Sequence, residues 1–141
     1  MPSLQPRSYG SLLVRTDFRD EQTWTAVAEA ITRETPEGFL ANVRVVDDAG
    51  FDGYTTDQIL SVAVDSHVET IVFIVDQTTI DDADHPVLVL APKDRFRVQR
   101  GQTFRALPTT VQSIENNLNL SNMDWPDFAD RLNERGYFAG F

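Results

Sequence analysis

The chain has 141 residues, a length for one domain with enough material to bury a core; its 41% hydrophobic and 24% charged residues argue against disorder. It contains no cysteine, which excludes a disulfide framework, thiolate zinc sites and a cysteine nucleophile. The net charge of −10 is lopsided, with five arginines against sixteen carboxylates in Met1–Leu90 and seven cations against six carboxylates in Ala91–Phe141, so nucleic acid and anionic membranes are poor partners.

Residues 1–10, MPSLQPRSYG, carry two prolines and a glycine without any period and read as a loose arm ahead of a single domain over 11–141. The only early apolar run is Leu12-Leu13-Val14, too short for a secretory leader. No run approaches the roughly 20 apolar residues of a membrane span, so a cytoplasmic address is expected. Ser11–Thr16 reads as a short buried strand. A helix follows, with Trp24, Val27, Ala28 and Ile31 on one face at i, i+3, i+4 and i+7, and Asp17 or Asp20 is suited to cap it.

Phe39–Asp48, FLANVRVVDD, alternates with one mixed face and reads as a half-exposed strand near an edge. In YTTDQI, Thr55 and Gln58 form a capping box and Tyr54 and Ile59 a hydrophobic staple, which predicts a helix from Thr56 to about Val64. TIVFIVD and PVLVLAP are continuously apolar strands. The polar stretch between them shows no helical period and is too short for a parallel crossover, so an adjacent pair should be antiparallel. DRFRVQRGQTFRAL reads as a basic hairpin with arms near Arg95–Val98 and Thr103–Leu107. Val111, Ile114 and Leu118 form the stripe of a helix capped by Thr110. Trp125, Phe128, Ala129 and Leu132 form that of a second, capped by Asp124 and stopped at Gly136. The closing YFAGF, with three aromatics, should dock on the body. The expected fold is α/β: a three-layer-like β-α-β-α-β core with a mixed sheet, a basic β-hairpin and two C-terminal helices.

Right-handed crossovers make β2-β1-β3 the natural order of the first three strands, and ligands of such sheets bind beyond the carboxyl ends where the order reverses. Asp17, Asp76 and Thr78 leave those ends and are the candidate catalytic residues, with Asp47 and Asp48 at the neighbouring strand. Clustered carboxylates suit a hard cation, and Asp17, Asp48 and Asp76 are the candidate ligands of a Mg²⁺ ion. The same residues have ordinary structural uses as caps and turn formers. A calcium loop starting at Asp48 fails at Gly50 and Ile59. No P-loop, G-x-G-x-x-G or G-x-S-x-G is present. Arg95, Arg97, Arg100 and Arg105 form a second constellation, suited to an anionic group or to a solvated hairpin face.

The segments VRTDF, ANVRVVDD, HPVLVLAP, GQTFRALP, IENNLNLSNMDWPDFAD and GYFAGF together resemble a family of small, uncharacterised bacterial domains catalogued only as a domain of unknown function. The resemblance covers nearly the whole chain and implies no activity. It directs attention to Asn116, Asn117, Asn122 and Asp124, of which Asn117 and Asp124 join Asp47, Asp48 and the four arginines as candidate binding residues. The expected function is a small acidic cytoplasmic protein-binding module, a regulator or immunity-type protein that holds a basic partner on its acidic strand-end face, with no cofactor. The alternative is a Mg²⁺-dependent or small-molecule-acting enzyme using the strand-end carboxylates.

Overall fold

Five consecutive buried residues, Ser11–Arg15, form β1, the strand around which the chain is arranged. The computed structural model describes residues 2–5 and 10–141. Along the chain follow α1 (Glu21–Thr32), β2 (Val43–Val46), α2 (Thr56–Asp65), β3 (Val72–Val75), α3 (Gln77–Asp81), β4 (Val87–Leu90), β5 (Thr103–Ala106), α4 (Val111–Asn119), α5 (Pro126–Ala129) and β6 (Tyr137–Phe138). The six strands make one mixed sheet in the order β2-β1-β3-β4-β5-β6. β1 runs parallel to β2 and β3, β4 is antiparallel to β3 and β5, and β6 is parallel to β5.

Strand alternation divides the core. Leu13, Phe73, Val75, Val89 and Phe104 pack with Trp24, Val27 and Ile31 of α1 and Val111, Ile114 and Leu118 of α4. Leu12, Val14, Val72, Ile74 and Leu90 pack on the other face with Phe51 and with Ile59 and Ala63 of α2. Each fully buried aliphatic side chain contributes about 1.5–3 kcal/mol, and β3 and β4, buried along their whole length, carry only apolar residues. The resulting three layers are those expected from the alternation of elements. No helix among the described residues is long and apolar enough to cross a membrane.

Local chemistry fixes the helix starts. Asp20, rather than Asp17, caps α1 by accepting from the Thr23 N–H at 3.0 Å. The α2 capping box is complete, with Thr55 and Gln58 exchanging hydrogen bonds at 2.8 and 3.2 Å.

The structure corrects the sequence reading in several places. Met1 and residues 6–9 of the expected loose arm lie outside the described residues, but Leu4 is buried in the α2-side core and its N–H reaches Ser66 Oγ. Residues 39–42 are not strand; only Val43–Val46 pair, at the sheet edge. The stretch after β3, expected to be irregular, holds the short helix α3, nucleated by its own capping box between Asp76 and Thr79. The hairpin has different arms: β5 pairs with β4, because Val87–Leu90 is the apolar strand able to cover it. Arg95–Val98 closes only a tight turn, with Phe96 and Arg97 at φ of 61° and 60°. Thr110 makes no side-chain cap; its hydroxyl turns back to Leu107 O.

The last predicted helix stops after one turn. Beyond Ala129 the chain folds back through Asn133 and Gly136 so that Tyr137–Phe138 joins the sheet, and burial of Phe138 outweighs further helix. Asp124 is not its cap; Asp127 instead accepts from the Asp124 N–H. The tail docks as expected, with Phe138 edge-on to Phe128 at 5.2 Å and Phe141 against both.

Candidate functional site

Where β1 and β3 end, the sheet order reverses, and a cleft of about 560 Å³ opens there. Its walls come from the end of β1 (Thr16, Asp17), the start of α2 (Asp52, Thr55, Thr56) and the start of α3 (Asp76, Gln77, Thr78). The Gly53 N–H donates to Thr16 O at 2.8 Å and stitches the α2 wall to the strand. Thus Asp17, Asp76 and Thr78, the candidate catalytic set, do share one cleft.

Their carboxylates, however, are occupied. Asp17 is 7% exposed and accepts from the Arg19 N–H and from its guanidinium, the closest contact being 2.7 Å. The Arg19 hydrogen bond holds the Asp17 carboxyl below its ordinary range against the opposing effect of burial. Arg19 also reaches Asp81 at 2.9 Å, and the two carboxylates push its own pKa upward. Asp76 caps α3 through the Thr79 N–H and receives both guanidinium nitrogens of Arg105 as a fork, at 3.0 and 2.7 Å. Such bidentate pairing is the strong form of the arginine–carboxylate contact.

Asp47 and Asp48 do not line the cleft. Asp47 accepts from Arg15 at 3.2 Å. Arg15 itself is 3% exposed, bound also to Glu21 at 2.7 Å, with its guanidinium near the Phe18 and Trp24 rings. Asp48 caps the 3-10 turn at Ala49–Phe51 by accepting from the Gly50 N–H. The candidate cation ligands Asp17, Asp48 and Asp76 are therefore not gathered. Among the described residues no group of three or more His, Asp or Glu is placed to hold a metal ion. Of the three carboxylates that line the cleft, Asp17 and Asp76 are already neutralised by arginines, and Asp52 forms no salt bridge with the described residues.

The four arginines disperse once the hairpin is redrawn. Arg95 donates to Glu69 O and lies over the Phe96 ring. Arg97 stands 3.8 Å from Asp124, Arg100 lines a groove beside α2, and Arg105 belongs to Asp76. The acidic loop after α3 also has a structural use: Asp82 and Asp84 clamp Arg135, and Tyr137 Oη donates to Asp82 at 2.7 Å. The Asp84 N–H, Tyr137 and Arg135 together hold Asp82 below its ordinary value.

Sequence reasoning missed Glu115. This α4 residue is 1% exposed, and its carboxylate accepts from the Asn42 N–H and from the Asn119 side chain. With its amide turned to satisfy its neighbours, Asn116 donates to Glu115 and to Leu40 O. A signal was present, because Glu115 completes the i, i+3, i+4, i+7 series of Val111, Ile114 and Leu118. Asn117 stays within its helix, donating to Ser113 O at 2.8 Å.

These segments, from the β1 end to the asparagine-rich α4, fall within residues 10–141, which match the model of a family described as a domain of unknown function (DUF6924). The chain belongs to that family. No curated protein matches it.

One further surface of this DUF6924 member bears on function. Asp57, Leu60, Ser61, Val64 and Asp65 on the exposed side of α2 line a shallow groove of about 320 Å³ with Arg100. Asp52, Asp57 and Asp65 form no salt bridge with the described residues, unlike Asp17, Asp47 and Asp76. Asp57 and Asp65 thus stand in this groove without a salt bridge to the described residues, displaced from the strand ends.

Proposed function

We propose that this chain is a non-enzymatic, cytoplasmic protein-binding module, a regulator or immunity-type protein of bacteria, that engages a basic partner along the acidic groove of α2. One observation carries the reading: Asp17, Asp47 and Asp76 at the strand ends are already paired with arginines, whereas Asp57 and Asp65 flank the apolar Leu60 and Val64 without ion pairs to the described residues. Uncompensated charge beside apolar surface favours both fast encounter and a partner of opposite sign. The test is affinity capture with tagged protein at about 50 mM and about 500 mM salt, since screening shortens the reach of such charges several-fold over that range. A basic partner should be held at low salt, released at high salt, and lost on the double change Asp57→Asn/Asp65→Asn. A partner indifferent to salt and to both substitutions, or no partner, refutes it.

A second reading is supported by the shared cleft of Asp17, Asp76 and Thr78. Under it the chain is a small-molecule-acting enzyme, with or without Mg²⁺. Calorimetry with Mg²⁺ or Mn²⁺ separates the two, with Asp76→Asn as the control. Binding heat abolished by that change would favour the enzyme.

A further inference from the structure

The polar side chains that line the cleft beyond β1 and β3 divide into two groups. Asp17, Arg19 and Asp76 are engaged in ion pairs. Asp52, Thr56, Gln77 and Thr78 form no side-chain hydrogen bond with the described residues. A wall of unspent hydroxyl, amide and carboxylate groups suits a hydrophilic ligand. The volume of about 560 Å³ falls within the range of about 300–1,000 Å³ common to small-molecule sites.

The charge of the cleft selects among hydrophilic ligands. Together with the groups bonded to its walls, it holds four carboxylates, Asp17, Asp52, Asp76 and Asp81, against two guanidiniums, Arg19 and Arg105. Arg19, the cation among the described lining residues, is already held between Asp17 and Asp81. The positive ends of α2 and α3 also open on the cleft. Both are closed by capping boxes, and a carboxylate at each start, Asp57 and Asp76, offsets the dipole. An anion would therefore meet surplus negative charge with no unpaired cation among the described lining residues. A hard metal ion needs several oxygen ligands brought together, and no such group stands among the described residues. An organic ammonium group needs one carboxylate, and Asp52 supplies it.

We propose that the cleft binds a small organic cation of the amino-sugar or amino-alcohol class, a primary ammonium on a hydroxylated skeleton. The ammonium donates to Asp52, a charge-assisted hydrogen bond, and the ligand hydroxyls exchange hydrogen bonds with Thr56, Gln77 and Thr78. The proposal shares with the second reading above that the cleft takes a small molecule, and it requires no reaction.

The test is a titration of the isotope-labelled full chain with three sugars of similar size, followed through its amide resonances. Glucosamine is used at about pH 6.5, where its amine and Asp52 are both charged. Glucose is its neutral counterpart and glucuronate its anionic one. Glucosamine should give saturable shifts at the Gly53, Thr56 and Thr78 amides, with a Kd of about 1–10 mM, as expected for about a dozen heavy atoms. Glucose should bind at least about fivefold more weakly, and glucuronate more weakly still. Asp52→Asn keeps the shape of a side chain that bonds to no described residue, and should bring glucosamine down to the level of glucose. Should that variant misfold, Thr78→Ala leaves the charge in place and should weaken glucosamine and glucose alike. Equal binding of glucosamine and glucose, a preference for glucuronate, or unchanged affinity in a folded Asp52→Asn or Thr78→Ala overturns the proposal while leaving the cleft a small-molecule site. The absence of saturable cleft shifts with all three sugars overturns the proposal together with the reading it rests on.

Discussion

Replacing Asp76 by alanine removes two interactions at once. The first is the α3 cap, in which the carboxylate accepts from the Thr79 N–H at 3.2 Å; a lost cap costs about 1 kcal/mol. The second is the fork to Arg105, whose two nitrogens approach at 3.0 and 2.7 Å. The two side chains are 22% and 20% exposed. That is too buried for the near-zero value of a surface pair and too wet for the 3–5 kcal/mol of a buried one, which leaves about 2 kcal/mol. Arg105 keeps a contact to Pro86 O at 3.2 Å, which limits the loss. The total is about 3 kcal/mol, or about 10 °C in Tm for a chain of this size. Asp76→Asn keeps a good capping residue and should cost about 2 kcal/mol. Urea denaturation of Asp76→Ala, Arg105→Met and the double variant completes a cycle, with an expected coupling of about 1.5–2 kcal/mol. Additive effects, or an Asp76→Ala protein within about 0.5 kcal/mol of wild type, would refute the reasoning and return Asp76 to the cleft as a residue kept for a ligand.

Two further outcomes follow from the ionic and aromatic contacts. Asp17, Asp20, Glu69 and Asp82 are held below their ordinary values of 3.8 for aspartate and 4.5 for glutamate. The folded chain therefore binds these protons less readily than the unfolded one, and the stabilisation is complete above those values and lost as pH falls through and below them. Thermal melts should be level from neutrality down to about pH 5 and drop steeply below about pH 4, with a shallower drop in Asp17→Asn. At the other end, Tyr137 is raised above 10 by its hydrogen bond to Asp82, so its contribution is present below that pH and fades above it. An acid limb unchanged by Asp17→Asn would contradict this assignment. Phe138→Ala should cost about 3–4 kcal/mol, because a fully buried ring that abuts Phe128 is removed. Hydrogen exchange at Leu107, whose N–H donates to Phe138 O at 3.0 Å, should accelerate in the same variant; an exchange rate equal to wild type would show that the tail only rests on the body.

Much of the fold was legible because its signals are local or periodic. The α2 capping box lies within four residues, and the α1 stripe of Trp24, Val27 and Ile31 repeats at 3.6 residues. The antiparallel β3–β4 pair followed from the short connection between two apolar runs. What stayed hidden depended on distant partners. Arg105 looked like one of a basic cluster, yet its partner is Asp76, 29 residues away. Glu115 was not singled out, because its partner Asn42 lies 73 residues earlier. The final helix was overestimated because local pattern cannot register that Tyr137 and Phe138 are needed by β5. At the candidate site, the position of Asp17 and Asp76 was readable from topology. Their neutralisation was not, because it rests on side-chain geometry.

The turn at Arg95–Val98 carries the same lesson into protein engineering. Phe96 and Arg97 sit in left-handed conformations that glycine or asparagine would adopt at far lower cost. What holds them is remote: the Trp125 N–H donates to Phe96 O at 2.9 Å, and Phe96 packs against the α1-side core. The instructions for this loop are thus stored in part at Trp125, outside its own sequence. Lifted onto another scaffold without that residue, the peptide would keep its letters and lose its shape.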